Sequence, residues 1–444
     1  MQEAIASALA QLARLDAKAA QVAETALTTL NAGDSLESLS QYGVQEFCWY
    51  VLPVRFTADS GDRTFAARSL GHVFTLLNLD RYAEICTSNA TDHVLHAYSV
   101  SHETGLAAYH RAMRASGVEP PDLPELTWGS ALGSAEIDAY QATSAAQELA
   151  ITLEDIRPGS RGWRTTQAQQ ARAFLTQPDN QGRSHLDRVR EERVRSWLGS
   201  PSHPHRQQLW PLLGQIIAGS EPPHNAASAL APVRRLLDYA DEGIGLTQIG
   251  YISPTAVREL CAEFDWPSSP SPARSETDVM QLIALHKLLR AMRAVRRSGR
   301  RLVLTRRGRR LHGDTEALWH AVAQGILDTD GFEQAATETL LGLLLVRSPR
   351  PTGNHARDDE PDITSDARRI LADAGWGAES PDGAPDTPQL QSVLINATWL
   401  LETLGFIDGR DQAGEGGPRQ LTKAGRAFAL TATHLSATAP AASF

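Results

Sequence analysis

Ten arginines and no acidic residue lie between Arg290 and Arg310, in the stretch RAMRAVRRSGRRLVLTRRGRRL (residues 290–311). With Lys287 the window 287–310 holds eleven positive charges, in a chain whose formal net charge is −10. The rest of the chain, with 31 basic and 52 acidic residues, stands at −21. Like charges crowded together repel, so such a run persists where it is solvated or where a polyanion or an acidic protein surface meets it. Against nucleic acid, arginines neutralise phosphates and release counterions, the sequence-independent part of affinity. The candidate contact residues are Lys287, Arg290, Arg293, Arg296, Arg297, Arg300, Arg301, Arg306 and Arg307. A solvated face, or docking on an acidic surface that includes this chain's own, is the competing reading.

Other residues invite chemistry less strongly. His93, His96, His102 and His110 fall within one short region, and His93 and His96 share a helical face that zinc accepts. No HExxH occurs there, and the spacing matches no metal-site type, so the expectation is surface or core histidines and no metal. The loop WGSALGS (128–134) opens a helix whose backbone donors suit an anion, though such a loop more often only caps. Phe47, Trp49, Tyr50 and Phe56 are expected in a core. Phosphate loop, nucleophile elbow and dinucleotide fingerprint are missing, so neither catalysis nor a cofactor is expected. An enzyme site without a motif in the N-terminal region stands as a third reading. Cys48, Cys86 and Cys261 lie far apart in sequence and form neither a disulfide framework nor a CxxC site, which fits a reducing cytoplasm. The N-terminus carries Glu3 and Asp16 and lacks the apolar core of a secretory signal. The densest apolar run, LLGLLLV at 340–346, is far short of the roughly 20 residues a membrane span needs. A cytoplasmic protein without a membrane partner is expected.

The elements that must position these residues are mostly helical. With 42% apolar residues over 444 positions the chain has material for two to four cores. Residues 3–30 form one helical stripe, with Asp34 as the next start signal, and 44–52 stops before Pro53. Residues 62–79 form another helix, 91–117 one helix or two with a break near Ser101, and helices follow at 134–155, 164–177 and 184–198. No alternating run of β-branched residues appears, so residues 1–200 read as an all-α domain. Residues 201–225 read as a breaker-rich linker with one short helix.

A repeat follows. VRELCAEFDW (257–266) matches ARRILADAGW (367–376), placing Arg258, Leu260, Ala262 and Trp266 over Arg368, Ile370, Ala372 and Trp376 at an offset of 110. Equal Pro/Ser/Asp-rich stretches lead into apolar helices at 279–295 and 389–405, still at 110. Seven residues then enter the second copy, and Leu304, Thr305, Gly308 and Arg309 match Leu421, Thr422, Gly425 and Arg426 at 117. Equal spacing over such a length points to a duplicated fold.

This order resembles the winged helix-turn-helix superfamily, in tandem over about 226–430. The arginine-for-lysine usage has the look of a GC-rich, actinobacterial-type genome. The resemblance implies a mainly α chain: an N-terminal all-α domain followed by two winged-helix-like units with small β-hairpins. The first unit spans 226–315, with its first helix at about 227–241, IGLT (244–247) as a strand and 279–297 as the third helix. The second spans 316–430, with its first helix at 330–347 and no equivalent strand, and 431–444 reads as a flexible tail. In a DNA-binding winged helix the third helix enters the major groove and the wing touches backbone or minor groove. Lys287, Arg290, Arg293 and Arg297 would form a basic stripe along that helix. SETD (275–278) is acidic and repels phosphate, so contact is expected from the helix end and the hairpin, dominated by backbone or shape. A cytoplasmic DNA-binding or DNA-associated regulatory protein is therefore expected, the N-terminal domain sensing or meeting a partner. The alternative is an interaction protein whose winged units bind protein.

The second unit differs in chemistry. Its third helix carries Glu402 alone among charged residues, with an inserted loop at 408–420, and reads as a packing or homo-oligomer surface. That helix should be covered by 330–347 and by another domain or subunit, while Arg290, Arg293 and Arg297 stay exposed. A charge at Leu394 or Leu401 should therefore lower the melting temperature or change the oligomer seen by light scattering. Truncation after residue 328 should leave DNA binding intact.

Overall fold

The computed structural model describes residues 2–31, 39–55, 60–268, 272–329, 331–347, 363–378, 383–408 and 420–440. It is mainly helical, with two small antiparallel sheets among the described residues. Two compact units divide the chain: one runs up to Val189 and includes Pro440, the other is Arg190–Ala439.

The first unit is built from α1 (Gln2–Leu15), α2 (Ala17–Asn31), α3 (Gln41–Glu46), α4 (Leu52–Arg55), α5 (Ser60–Leu76), α6 (Asp80–Thr87), α7 (Asn89–Val100), α8 (His102–Ser116), α9 (Ser134–Thr152), α10 (Trp163–Thr176) and the start of α11 (His185–Leu198). The stripe over 3–30 breaks at Asp16, whose Oδ1 accepts from the Ala19 amide at 3.0 Å and starts α2. Ser101 does the same between α7 and α8, accepting from the Thr104 amide at 3.0 Å. Pro53 does not stop its helix. The chain widens into a π-helix over Phe47–Val51 and passes through Pro53 into α4. The wider turn absorbs the lost amide donor that would end an ordinary helix. Phe47 and Trp49 are buried, but Tyr50 lies at the surface against Tyr109. Asp34 and Phe56 lie outside the described residues. Cys48 and Cys86, 38 residues apart, are both buried with their sulfurs 3.8 Å apart. Separation along the chain therefore says nothing of separation in space. Their mutual hydrogen bond and burial hold the Cys86 thiol well above its ordinary pKa.

The second unit contains the rest of α11, a 3₁₀ turn at Pro204–Leu212, α12 (Leu213–Ala218), α13 (Ala226–Ala229), α14 (Ala231–Glu242), β1 (Ile244–Gly245) and α15 (Pro254–Phe264). A 3₁₀ turn at Glu276–Asp278 leads to α16 (Met280–Ala291), β2 (Val295–Ser298), β3 (Arg301–Leu304), α17 (Arg306–His312) and α18 (Thr315–Gly325). Then come α19 (Gly331–Val346), α20 (Ile363–Asp373), α21 (Thr387–Thr403), β4 (Ile407–Asp408), β5 (Gln420–Leu421) and α22 (Lys423–Thr438). Strands β1, β3 and β2 form one antiparallel sheet in that order, and β4 pairs with β5.

One hydrophobic core runs from Val194 to Ala437, so the two helix-and-hairpin halves are not separate bodies. Helix α16 of the first half packs on α21 of the second, and within the second half the fully buried Trp319 of α18 packs edge-on against Phe406 and Phe428, with ring centroids 5.5 and 5.6 Å away. The stretch 201–225 is not a linker. His205 and Arg206 are buried there, and both bind Glu338 of α19: His205 Nε2 lies 2.8 Å from Oε2, and Arg206 donates to Oε2 at 2.7 Å and Oε1 at 3.0 Å. Residues 431–438 are no tail either. They complete α22, with Ala432 and Ala437 buried and the Thr438 carbonyl accepting from Arg193 at 2.8 Å. The alanine and threonine run that reads as loose in sequence is small enough to pack tightly.

Burial alone would push the Glu338 carboxyl up, but hydrogen bonds from His205 and Arg206, and the guanidinium charge, hold it below the usual range. A depressed folded pKa stabilises the protein above the unfolded carboxylate value, and that stabilisation is lost as pH falls through the folded value. Glu338→Ala leaves Arg206 buried without a counter-charge and should cost about 3–5 kcal/mol in urea unfolding at neutral pH. The difference from wild type should shrink as pH falls from the unfolded carboxylate value through the depressed folded one.

Candidate functional site

The arginine run is carried by the end of α16, the β2–β3 hairpin and α17. Leu282, Leu285, Leu289 and Met292 are buried, as the spacing of α16 predicts. The helix is shorter than expected, however. It ends at Ala291, and Arg293 turns the chain with φ +53°. The Ala294 amide then bonds the Leu289 carbonyl at 3.0 Å, and β2 begins at Val295. Of the expected helical stripe, only Lys287 and Arg290 lie on helix. Arg293 is the left-handed residue after it, and Arg297 is in a strand. A left-handed arginine costs about 1–2 kcal/mol relative to a right-handed one, which glycine avoids.

The hairpin closes through Gly299 and Arg300, between the paired residues Ser298 and Arg301. Gly299, with φ +60°, provides the positive angle that such a tight turn needs at its first central position. Pairing of Arg296 with Val303 and Arg297 with Leu302 fixes the faces. Arg297 points to the side of the buried Leu302 and Leu304, whereas Arg296 and Arg301 point to the other. Thr305 caps α17 through the Gly308 amide at 3.0 Å, and Arg306 and Arg307 occupy the first turn. Cations there oppose the helix dipole, a cost of about 0.3–1 kcal/mol each.

Every arginine from Arg290 to Arg310 is exposed. Arg309 lies 3.7 Å from Asp241, and Lys287 is paired with Glu333. Arg297 donates to the Gly299 carbonyl at 3.0 Å and Arg301 to the Glu242 carbonyl at 3.4 Å. Among the described residues Arg290, Arg293, Arg296, Arg300, Arg306, Arg307 and Arg310 have no carboxylate within ion-pair reach. The two carboxylates of the SETD segment are engaged within the fold. Glu276 is buried, accepting from the Ile252 amide at 2.7 Å, with its other oxygen 2.7 Å from His286 Nδ1. Asp278 closes a capping box with Ser275. Both carboxylates are consumed in building the start of α16.

Helix α16 is itself covered. Its neighbour is α21, with α14 and α18 on other sides. The face a groove-reading helix needs is thus partly taken, and the basic surface belongs to the hairpin and α17. Helix α21 is covered by α16 and α19, with Leu394 and Leu401 buried. Its second cover is therefore the first half of the same unit. Truncation after residue 328 would strip α19 and α21 from that core and expose α16, so an intact truncated binding unit is not expected after all.

Both halves build the same corner. Thr305 and Thr422 donate their amides to the Ala294 and Phe406 carbonyls at 2.9 and 3.0 Å. Their side chains cap Gly308 and Gly425, and Arg293 corresponds to Gly405, φ +65°. These equivalences put α16 and α21 at an offset of 112 rather than 110, so five residues rather than seven are added in the second hairpin. Most of that insertion, 409–419, lies outside the described residues.

The remaining candidates fare differently. His93, His96, His102 and His110 are exposed on α7 and α8. No group of three or more His, Cys, Asp or Glu among the described residues is placed to hold a metal. The WGSALGS loop carries its own anion: buried Glu136 accepts from the Gly129 amide at 3.0 Å. Two features escaped sequence reading. Ile249 is 78% exposed and Tyr251 38% exposed in the β1–α15 turn, beside the Arg297 guanidinium. Tyr42, Tyr109 and Tyr140 gather with Glu46 and Glu119 in the first unit, where burial raises both carboxyl groups. Helical periodicity signals neither, because Ile249 and Tyr251 lie in a turn and the tyrosines come from separate helices.

Residues 226–317, from α13 into the first turn of α18, match the family model described as Y4jL N-terminal domain. No curated protein and no solved structure matches the chain.

The shared corner is testable through its glycines. A Cβ on Gly308 would stand 2.0 Å from the Ala294 carbonyl oxygen, and one on Gly425 1.9 Å from that of Phe406. Both clashes are with backbone, which cannot step aside alone. Gly308→Ala and Gly425→Ala should each cost about 3 kcal/mol in equilibrium unfolding. Gly313→Ala, whose nearest neighbours lie 3.9 Å away, should cost little.

Proposed function

We propose that the protein is a DNA-associated regulatory protein whose two helix-and-hairpin halves are winged-helix units, and that the first of them grips the duplex backbone. The observation that carries this reading is the arginine surface. Seven exposed guanidinium groups on one hairpin and its flanking helix turns have no carboxylate partner among the described residues. Self-neutralisation by the described acidic surface, the competing account of the run, lacks the ion pairs it would need. Three costs accepted at this surface also speak for use: the left-handed Arg293, and Arg306 and Arg307 against the dipole. Because α21 lies against α16, binding runs through Arg296, Arg300, Arg306 and Arg307. Phosphate contacts of this kind fix position without reading bases, so discrimination between sequences should be weak. The first unit of the chain then has the part of a sensing or partner-binding body.

The test is fluorescence anisotropy of the full chain with a random-sequence duplex over a range of salt. The logarithm of affinity should fall linearly with that of salt concentration. Replacing Arg296, Arg300 and Arg307 together with Ala should lower the slope by about 0.9 for each phosphate no longer neutralised, and should weaken all duplexes alike. These three are preferred to Arg297 and Arg301, which already bond backbone carbonyls. Absence of binding at low salt would overturn the reading.

A further inference from the structure

Where α16 meets α21 the packing is incomplete. A cavity of about 140 Å³ remains between them, walled by Ile283, Leu288, Ile326, Val393 and Leu400. The space exists because Ala284 and Ala397 stand on the facing sides, where a larger residue would close it. An engineered apolar cavity of about 150 Å³ takes up benzene, so this volume fits one six-membered ring.

The mouth decides what the ring must carry. Lys287, Asp328 and Glu333 line it. The Lys287 ammonium is held by the Glu333 carboxylate, leaving no free cation for an acidic ligand. Asp328 is exposed and has no cation within ion-pair reach among the described residues. Next to it, the Thr329 hydroxyl oxygen is buried without a hydrogen-bond partner. The three charged groups sum to one negative charge, with an acceptor and an unused hydroxyl adjacent on the chain. A polar pair at the rim of an apolar slot is the usual make-up of a small-ligand site.

We infer that the cavity between α16 and α21 binds a small primary amine with a single apolar ring. The ring lies between the two helices, and the ammonium donates to the Asp328 carboxylate and to Thr329 Oγ1. This inference is independent of nucleic-acid binding, and its test contains no nucleic acid.

The experiment uses the full chain, with benzylamine, benzyl alcohol and benzoate as probes, followed by calorimetry and saturation-transfer NMR. Benzylamine should bind saturably and more tightly than benzyl alcohol, and benzoate should not bind. Asp328→Asn should weaken benzylamine about tenfold while leaving benzyl alcohol unchanged, since only a charge-assisted hydrogen bond is removed. Ala284→Leu and Ala397→Leu fill the slot from opposite walls. Each should abolish binding of both probes while keeping the wild-type melting temperature or raising it. Should one of them unfold, the other still decides. Equal binding of benzoate, survival of benzylamine binding in the filled and folded variant, or no saturable binding of benzylamine at all would overturn the inference.

Discussion

A carboxylate sits inside a helix buried on nearly every side, and the second unit is arranged around that fact. From Ala335 to Leu345 every residue of α19 is buried, and Glu338 is among them. An isolated charge there would be prohibitively costly, so it must be paired and hydrogen-bonded. Arg206 supplies a two-pronged bond, His205 a second partner and Gln334 a third at 3.1 Å. Arg206 in turn lies 4.3 Å from the Trp197 ring. Residues 204–218 are thereby drawn into the core, although their prolines and glycines read as a linker. With α19 fixed, its other faces seat α20, α21 and α22.

The basic surface is positioned through this chain of contacts. Helix α21 lies between α19 and α16, and α16 ends where the arginine run begins. Burying one face of α16 leaves its C-terminal end, the hairpin and α17 as the surface that can meet a partner. Glu276 and Asp278 help by keeping their charge inside: one is bonded to Ile252 and His286, the other closes a cap. The charge separation that looks unfavourable in sequence becomes, in three dimensions, acid at the base of the helix and arginine at its exposed end.

The repeat shows what a duplicated fold must keep. Leu-Thr and Gly-Arg persist because the threonine bonds the corner and the glycine lets two backbones approach within a distance that forbids a Cβ. Trp266 and Trp376 follow a left-handed residue in both halves, Asp265 and Gly375, and their amides bond Cys261 and Leu371. Between these fixed points the surfaces diverge freely, to arginine in one half and to apolar residues in the other.

The sequence by itself determined the helical class, most helix positions in the first 200 residues, the buried stripe of α16, the hairpin turn at 298–300 and the exposure of the arginines. These rest on local rules: periodicity, capping side chains, glycine at a turn and the cost of burying like charges. Only the tertiary structure decided that α16 and α21 face each other, that Cys48 lies beside Cys86, that Glu136 fills the loop at Gly129 and that Glu338 claims Arg206. It also moved the register of the third helix by two residues, because apolar helices slide past one another in an alignment until hydrogen bonds at their ends fix them. Each of these pairs joins residues whose separation along the chain carries no periodic signal. Their energy comes from desolvation and packing after the chain has closed on itself, which composition and spacing do not encode.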